Sequence, residues 1–213
     1  GRPLKLSKIY MKIAFLGSSS QIAKGLLRES QNEDKHHFYL FTRDTESFYN
    51  WMDNAKLNSI NIKLESLKSF NSSHEFDLII NFVGIGDPGK ALKMGSKIFD
   101  ITYKYDQLVI DYLAFHPNTK YIFISSGVVY GDIFKSPASS SSSSVIHIND
   151  LKHTDWYSMS KIYAESRHRA LEKFSIVDVR VFNYVSSDID ISSRFLITDA
   201  LRSIKENQIM KTD

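Results

Sequence analysis

The stretch KIAFLGSSSQIAKGLL, Lys12 to Leu27, decides how this chain is read. KIAFLG is a short apolar run closed by Gly17, the pattern of a strand buried on both faces of a parallel sheet. The residues that follow, SSSQIAKGLLRESQ, carry Ile22, Leu26 and Leu27 at helical spacing. Strand, glycine turn and helix in succession open a βαβ unit, and the alternation continues. HFYLFTRD (37–44), SINIKLESL (59–67), FDLIINFVGIG (76–86), KYIFISSGVVYG (120–131) and SIVDVRVFNYV (175–185) read as strands. SKIFDITYKYDQLVIDYLAFH (96–116), YSMSKIYAESRHRALEKF (157–174) and SRFLITDALRSIKEN (193–207) read as helices. The first of these stops before Pro117, which disfavours helix at the residue preceding it. The expected class is α/β, a parallel sheet with helices on both faces and right-handed crossovers.

Composition sets outer limits. At 213 residues the chain suits one domain, and 42% apolar with 24% charged residues is an ordinary globular balance. There are no cysteines, so a disulfide framework or a cysteine-based zinc site is excluded, and the cytoplasm is the expected location. The net charge of +3 comes from interleaved Lys, Arg, Asp and Glu, which gives no footprint for nucleic acid. No run approaches the roughly 20 apolar residues of a membrane span. The opening GRPLKLSKIY lacks a secretory apolar core and reads as a non-native remnant or N-terminal extension ahead of Met11. KSPASSSSSS (135–144), with six consecutive serines, reads as a mobile loop.

The first turn is a worn dinucleotide fingerprint. Gly17 stands at the first glycine position, with Ser20 and Ala23 three and six residues later, where the second and third glycines belong. Alanine serves at the third, which only needs close packing; serine at the second crowds a phosphate, although its hydroxyl can donate. Gly17, Ser19, Ser20, Gln21 and Ile22 are therefore candidate cofactor contacts, through a helix N-terminus that favours a pyrophosphate. The plainer reading is a glycine turn with a serine N-cap. The second strand ends in Thr42, Arg43 and Asp44. An arginine there accepts a 2′-phosphate and an acid accepts ribose hydroxyls, so Arg43 leans to NADP and Asp44 keeps NAD open.

DWYSMSKIYAE, Asp155 to Glu165, places Tyr157 and Lys161 four residues apart on one helical face. Alone, that spacing says little. YIFISSGVVYG, YSMSK and VRVFN, in that order after a first-turn dinucleotide motif, make the chain from Met11 onward resemble the extended short-chain dehydrogenase/reductases. These are the NAD-dependent epimerase/dehydratases, which act mostly on nucleotide sugars. The resemblance implies a Rossmann-type fold, NAD(P) as cofactor, and a nucleotide-sugar epimerase or ketoreductase serving surface-polysaccharide building blocks. A homodimer is compatible with it; neither nucleic acid nor membrane is an expected partner.

Residue by residue, the resemblance gives Ser126 the substrate oxygen to orient, Tyr157 the acid/base step, and Lys161 the nicotinamide ribose. A free phenol titrates near 10, and a neighbouring ammonium favours its ionised form. Asn81, Phe82, Val83 and Gly84 match the turn that lies along the cofactor, and Ser125 joins them. Ser126, Val128 and Asn183 match substrate contacts. Thr102 or Asp100 stands where the family often has an asparagine on the long helix.

Three departures narrow the reading. Gly127 and Val128 replace the Asp-Glu pair of the sugar 4,6-dehydratases, which disfavours that reaction. Val185, Ser186 and Ser187 stand where Tyr-Gly-Pro is common. Residues 11–213 read as the NAD(P)-binding domain with most of the substrate lobe absent. A non-catalytic NAD(P)-binding sensor on the same fold is the alternative.

Overall fold

The strand that opens the fingerprint, β1 (Lys12–Leu16), lies in the middle of the sheet. The structure, a computed structural model, describes residues 10–32, 35–57, 61–84, 88–131, 137–139, 141–182, 184–192 and 196–207. Around β1 stand β2 (His37–Thr42), β3 (Asn61–Ser66), β4 (Leu78–Asn81), β5 (Lys120–Ser126) and β6 (Ile176–Val181). Their order is β3-β2-β1-β4-β5-β6, and every neighbouring pair is parallel. This is the Rossmann-type order, with its switch point between β1 and β4.

The helices among the described residues are α1 (Gln21–Glu29), α2 (Thr45–Asn54), α3 (Pro88–Met94), α4 (Lys97–Phe115), α5 (Trp156–Ala170) and α6 (Leu196–Glu206). Alternate residues of β1 enter opposite layers. Ile13 and Phe15 pack with Ala23 and Leu27 of α1 and Phe48 of α2. Ala14 and Leu16 pack with Val109, Tyr112 and Leu113 of α4 and Ala164 of α5. Cover on both faces explains why β1 and β4 are apolar at nearly every position rather than alternating.

Two helices escape the apolar pattern of the sequence. α2 buries only Phe48 fully, so it shows little amphipathic stripe. α3 follows the β4 turn, which the sequence reading extends through residue 86. The helix expected to run to residue 174 ends at Ala170, because Leu171 leaves helical geometry (φ −98°, ψ 50°) and donates its amide to His168. The strand expected to run to residue 131 ends at Ser126 and passes into a 3-10 turn, Gly127–Tyr130. No helix among the described residues is long and apolar enough to cross a membrane.

Candidate active site

The first turn is built on Gly17, whose φ of +76° lies in the region that favours glycine. A Cβ there would stand 3.0 Å from the Val83 amide nitrogen and from Val83 Cγ2, so glycine also permits close approach to the β4 turn. Ser18 is fully buried and donates its hydroxyl to the Phe15 carbonyl at 2.9 Å, while the Gly17 amide donates to Phe41 at 2.9 Å. Ser20, in extended geometry, is the N-cap of α1: its hydroxyl oxygen accepts the Ala23 amide at 3.1 Å. The serine at the second glycine position thus caps the helix. The amides of Gln21 and Ile22, in the first turn of α1 after β1, have no intrahelical acceptor. Ser19 is exposed beside them.

The β4 turn is fixed from below. Asn81 is fully buried; its amide oxygen accepts the Val83 N–H at 3.0 Å and its amide nitrogen donates to the Tyr121 hydroxyl at 3.1 Å. Phe82 points into the core against Phe15, with ring centroids 4.9 Å apart. Asn81 and Phe82 therefore shape the turn, leaving its backbone, Val83 and Gly84 at the crevice. A Cβ on Gly84 would lie 3.3 Å from Lys161 Nζ, so its absence lets the turn meet α5.

Ser126, at the carboxyl end of β5, stands near enough to the Tyr157 phenol to act on its pKa and lies 3.4 Å from the Val128 amide. Tyr157 and Lys161 share one face of α5, with the ammonium 5.8 Å from the phenol ring centroid. Lys161 is only 3% exposed and donates to the Ile124 carbonyl at 2.8 Å. Burial raises the Tyr157 pKa, and Ser126 pulls it partly back. Burial lowers Lys161 to about 8, against the pull of Asp106, Glu165 and Asp178. Burial thus favours the neutral phenol, and the ammonium is turned to a backbone carbonyl.

Other expected residues fall into two groups. Thr42 and Arg43 line a cavity of about 240 Å³ at the ends of β1 and β2. The Thr42 hydroxyl is buried with no hydrogen-bond partner among the described residues. Val128 is on the surface beside Ser126. Ser125 instead is buried, donating to Glu165 at 2.7 Å, and has a structural role. Of Thr102 and Asp100, Thr102 is the buried one, 3.5 Å from the Ser160 hydroxyl next to Lys161. Trp156 meets Phe99 of α4 (centroids 6.2 Å apart). Among the described residues of the expected mobile loop, the Ser144 hydroxyl donates to the Val129 carbonyl at 3.1 Å. Asn183 lies outside the described residues.

Beneath the site is a buried polar layer that sequence reading missed. Glu165 accepts from Ser125 and from both Nε and Nη2 of Arg180, at 2.6 to 3.3 Å, and these bonds outweigh burial to hold its pKa low. His168 lies between two carboxylates, Asp106 at 2.8 Å and Asp178 at 2.5 Å. Burial would lower its pKa, but the two aspartates outweigh it and hold it at about 9. Asp106 also accepts from Tyr121 at 3.0 Å, which connects this layer to Asn81 and the β4 turn. A signal existed: Tyr157, Lys161, Glu165 and His168 follow one another at four, four and three residues, a polar stripe on one helix face.

A dinucleotide fits these residues. Free helix amides, a glycine that admits the β4 turn, an unpartnered buried hydroxyl and a lysine beside a Cβ-free turn follow one another along the crevice, from Thr42 to Tyr157. Among the described residues no cluster of metal-ligating side chains occurs.

Comparison with known proteins gives the family and agrees with the fold. The profile described as the NAD dependent epimerase/dehydratase family matches residues 13–212. Comparison with curated proteins returned no match. Similar solved structures include the UDP-glucuronic acid 4-epimerase of Bacillus cereus in complex with NAD (19% identity, TM-score 0.69, covering 94% of this chain and 64% of that one). The UDP-Glc/GlcNAc 4-epimerase of Campylobacter jejuni aligns at 18% identity, TM-score 0.69, over 93% of this chain and 63% of that one. The UDP-glucose 4-epimerase of Bifidobacterium longum, in complex with NAD+ and UDP, aligns at 17% identity and TM-score 0.64, over 79% and 52%. This chain thus spans between about half and two thirds of the length of these neighbours.

Proposed function

The chain belongs to the NAD dependent epimerase/dehydratase family, and on that premise we propose that it is an NAD(P)-dependent epimerase or ketoreductase of a nucleotide sugar. The observation that carries the reading is the meeting of Ser126, Tyr157 and Lys161 beside Gly84 at the crevice end of the sheet. The NAD and UDP named for similar structures support the ligand class. Gly127 and Val128 carry no proton-transferring group, which speaks against 4,6-dehydration. NADP is taken over NAD because Arg43 follows β2. The family resemblance and the cysteine-free composition favour the cytoplasm.

When bound, the cofactor supplies or accepts the hydride. The chain's residues do the rest. The first-turn amides of Gln21 and Ile22 would hold the pyrophosphate, with Gly17 admitting its close approach, and Lys161 would hold the nicotinamide ribose beside Gly84. Ser126 orients the sugar oxygen. Tyr157, protonated at neutral pH, gives its proton to that oxygen when a keto group is reduced and takes one back in the reverse direction.

The test is oxidation of bound NADPH or NADH by a nucleotide-linked keto-sugar, followed by absorbance. Turnover that disappears in Tyr157→Phe while the cofactor still binds supports the proposal. Tight cofactor binding with no turnover of any nucleotide sugar overturns it in favour of a non-catalytic sensor, the reading that the serine at the second glycine position favours.

A further inference from the structure

A chain of hydrogen bonds runs through the core behind the β4 turn, and its direction follows from the donors and acceptors along it. At one end Asp106 of α4 stands between two cations of α5 and accepts from both. Its Oδ1 takes His168 Nε2 at 2.8 Å, and its Oδ2 takes Arg167 Nη1 at 2.9 Å. The same Oδ1 accepts the Tyr121 hydroxyl of β5 at 3.0 Å. Tyr121 is fully buried; burial, with the charge of Asp106, pushes the phenol well above its ordinary pKa, so it keeps its proton and gives it to that carboxylate. Only lone pairs of the hydroxyl are then left for Asn81, which answers with its NH2 group, Nδ2 donating at 3.1 Å. A planar amide turned this way presents Oδ1 on its other side, where it accepts the Val83 N–H at 3.0 Å. The reversed amide would set NH2 against N–H and leave both donors unpaired.

We propose that Tyr121 is a positioning residue for cofactor binding: its hydroxyl fixes which way the Asn81 amide faces, and through that amide the place of the Val83–Gly84 turn. The inference rests on the dinucleotide reading above. The turn is confined on two sides. A Cβ on Gly17 would stand 3.0 Å from the Val83 nitrogen and Cγ2, and a Cβ on Gly84 would stand 3.3 Å from Lys161 Nζ. Wedged between the first βα turn and α5, the β4 turn cannot shift without disturbing the spacing that admits the cofactor. The ring of Tyr121 has a separate role, packing edge-on against Phe123 and His168 with centroids 6.4 and 5.6 Å apart. Removing the hydroxyl alone therefore keeps the packing, and Asp106 keeps His168 and Arg167 as partners. Tyr121 is the second residue of β5, where no motif marks it.

Tyr121→Phe, Asn81→Ala and the double variant test this, with NADPH and NADH affinity read by fluorescence titration well below the melting temperature of each chain. Each single variant should bind about fivefold or more weaker than the wild type, the size of one lost buried hydrogen bond. The double variant should bind within about twofold of Asn81→Ala, because both changes break the same chain. Amide exchange at Val83 should quicken in Tyr121→Phe and stay unchanged in β1. A lowered melting temperature with wild-type affinity in Tyr121→Phe would make the hydroxyl merely structural and overturns the inference. A double variant whose loss in binding free energy is the sum of the two single losses overturns it as well. Should Tyr121→Phe fail to fold, Asn81→Ala decides alone: weakened binding supports the inference and wild-type affinity overturns it. All of these outcomes leave the dinucleotide reading standing, whereas a wild type that binds neither dinucleotide overturns both.

Discussion

Tyr157 and Lys161 are held in complementary states by the same burial. Removing a phenol from water favours its neutral form, and removing an ammonium from water lowers its pKa, here to about 8. At neutral pH the site therefore presents a proton donor next to a cation. Tyr157→Phe removes the proton and should lower turnover by about 10²–10⁴-fold, the usual share of general acid–base catalysis, with cofactor affinity nearly unchanged. Lys161 should make cofactor affinity depend on pH in a fixed direction. Its charge is present below about 8 and lost as pH rises through that value, so affinity falls from pH 7 to pH 9.5. Lys161→Met should bind at pH 7 about as the wild type binds at the alkaline end, and its own profile should be flat. Titration of NADPH fluorescence across that range reads both.

Below the reacting residues, α5 works as a strut whose buried charges lock it to its neighbours. His168 on α5 joins Asp106 of α4 and Asp178 of β6, and Glu165 joins Arg180 of β6. The His168 pKa rises from about 6.5 unfolded to about 9 folded. Its bound proton therefore stabilises the fold fully below pH 6.5, and that contribution, on the order of 3 kcal/mol, is lost as pH rises to 9. Lys161 is shifted the other way and begins to offset the loss above about 8. The fall in melting temperature should thus be clearest between pH 6.5 and 8, and His168→Gln should flatten it there; a wild-type melting temperature constant over that interval would contradict the account. A second contact joins the segment after β6 to α1: a Cβ on Gly25 would collide with the Tyr184 hydroxyl. Gly25→Ala should raise amide exchange across 184–192 and leave exchange in β1 and β4 unchanged.

These elements also show what the sequence could reveal. β1 and β4 are legible because residues buried on both faces must be apolar nearly throughout. The Tyr157–Lys161 pair was legible because its spacing is fixed by the helix. α2 is not, since a helix that buries one side chain has no stripe, and its capping residue Asp44 reads equally as the acid that keeps NAD open. The polar layer on α5 was missed for a related reason. Glu165, His168 and Arg180 look like solvated charges until the fold supplies their partners. Asn81 and Ser125 lie in the expected region, and their side chains support the crevice from beneath.

At the scale of the whole molecule, the two apolar layers close around the sheet within this chain, although it spans only 52% to 64% of the length of the neighbours above. Every residue assigned to the cofactor lies among the described residues of that unit. Cofactor binding should accordingly be a property of the chain as it stands. The most direct test is hydrogen–deuterium exchange with and without NADPH. The account predicts slowed exchange confined to three places that are distant in sequence and adjacent in the fold: the first turn at Gly17–Ile22, the β4 turn at Val83–Gly84, and the Ser126–Val128 turn beside Tyr157. Unchanged exchange at the first turn, or protection elsewhere on the sheet, would contradict it.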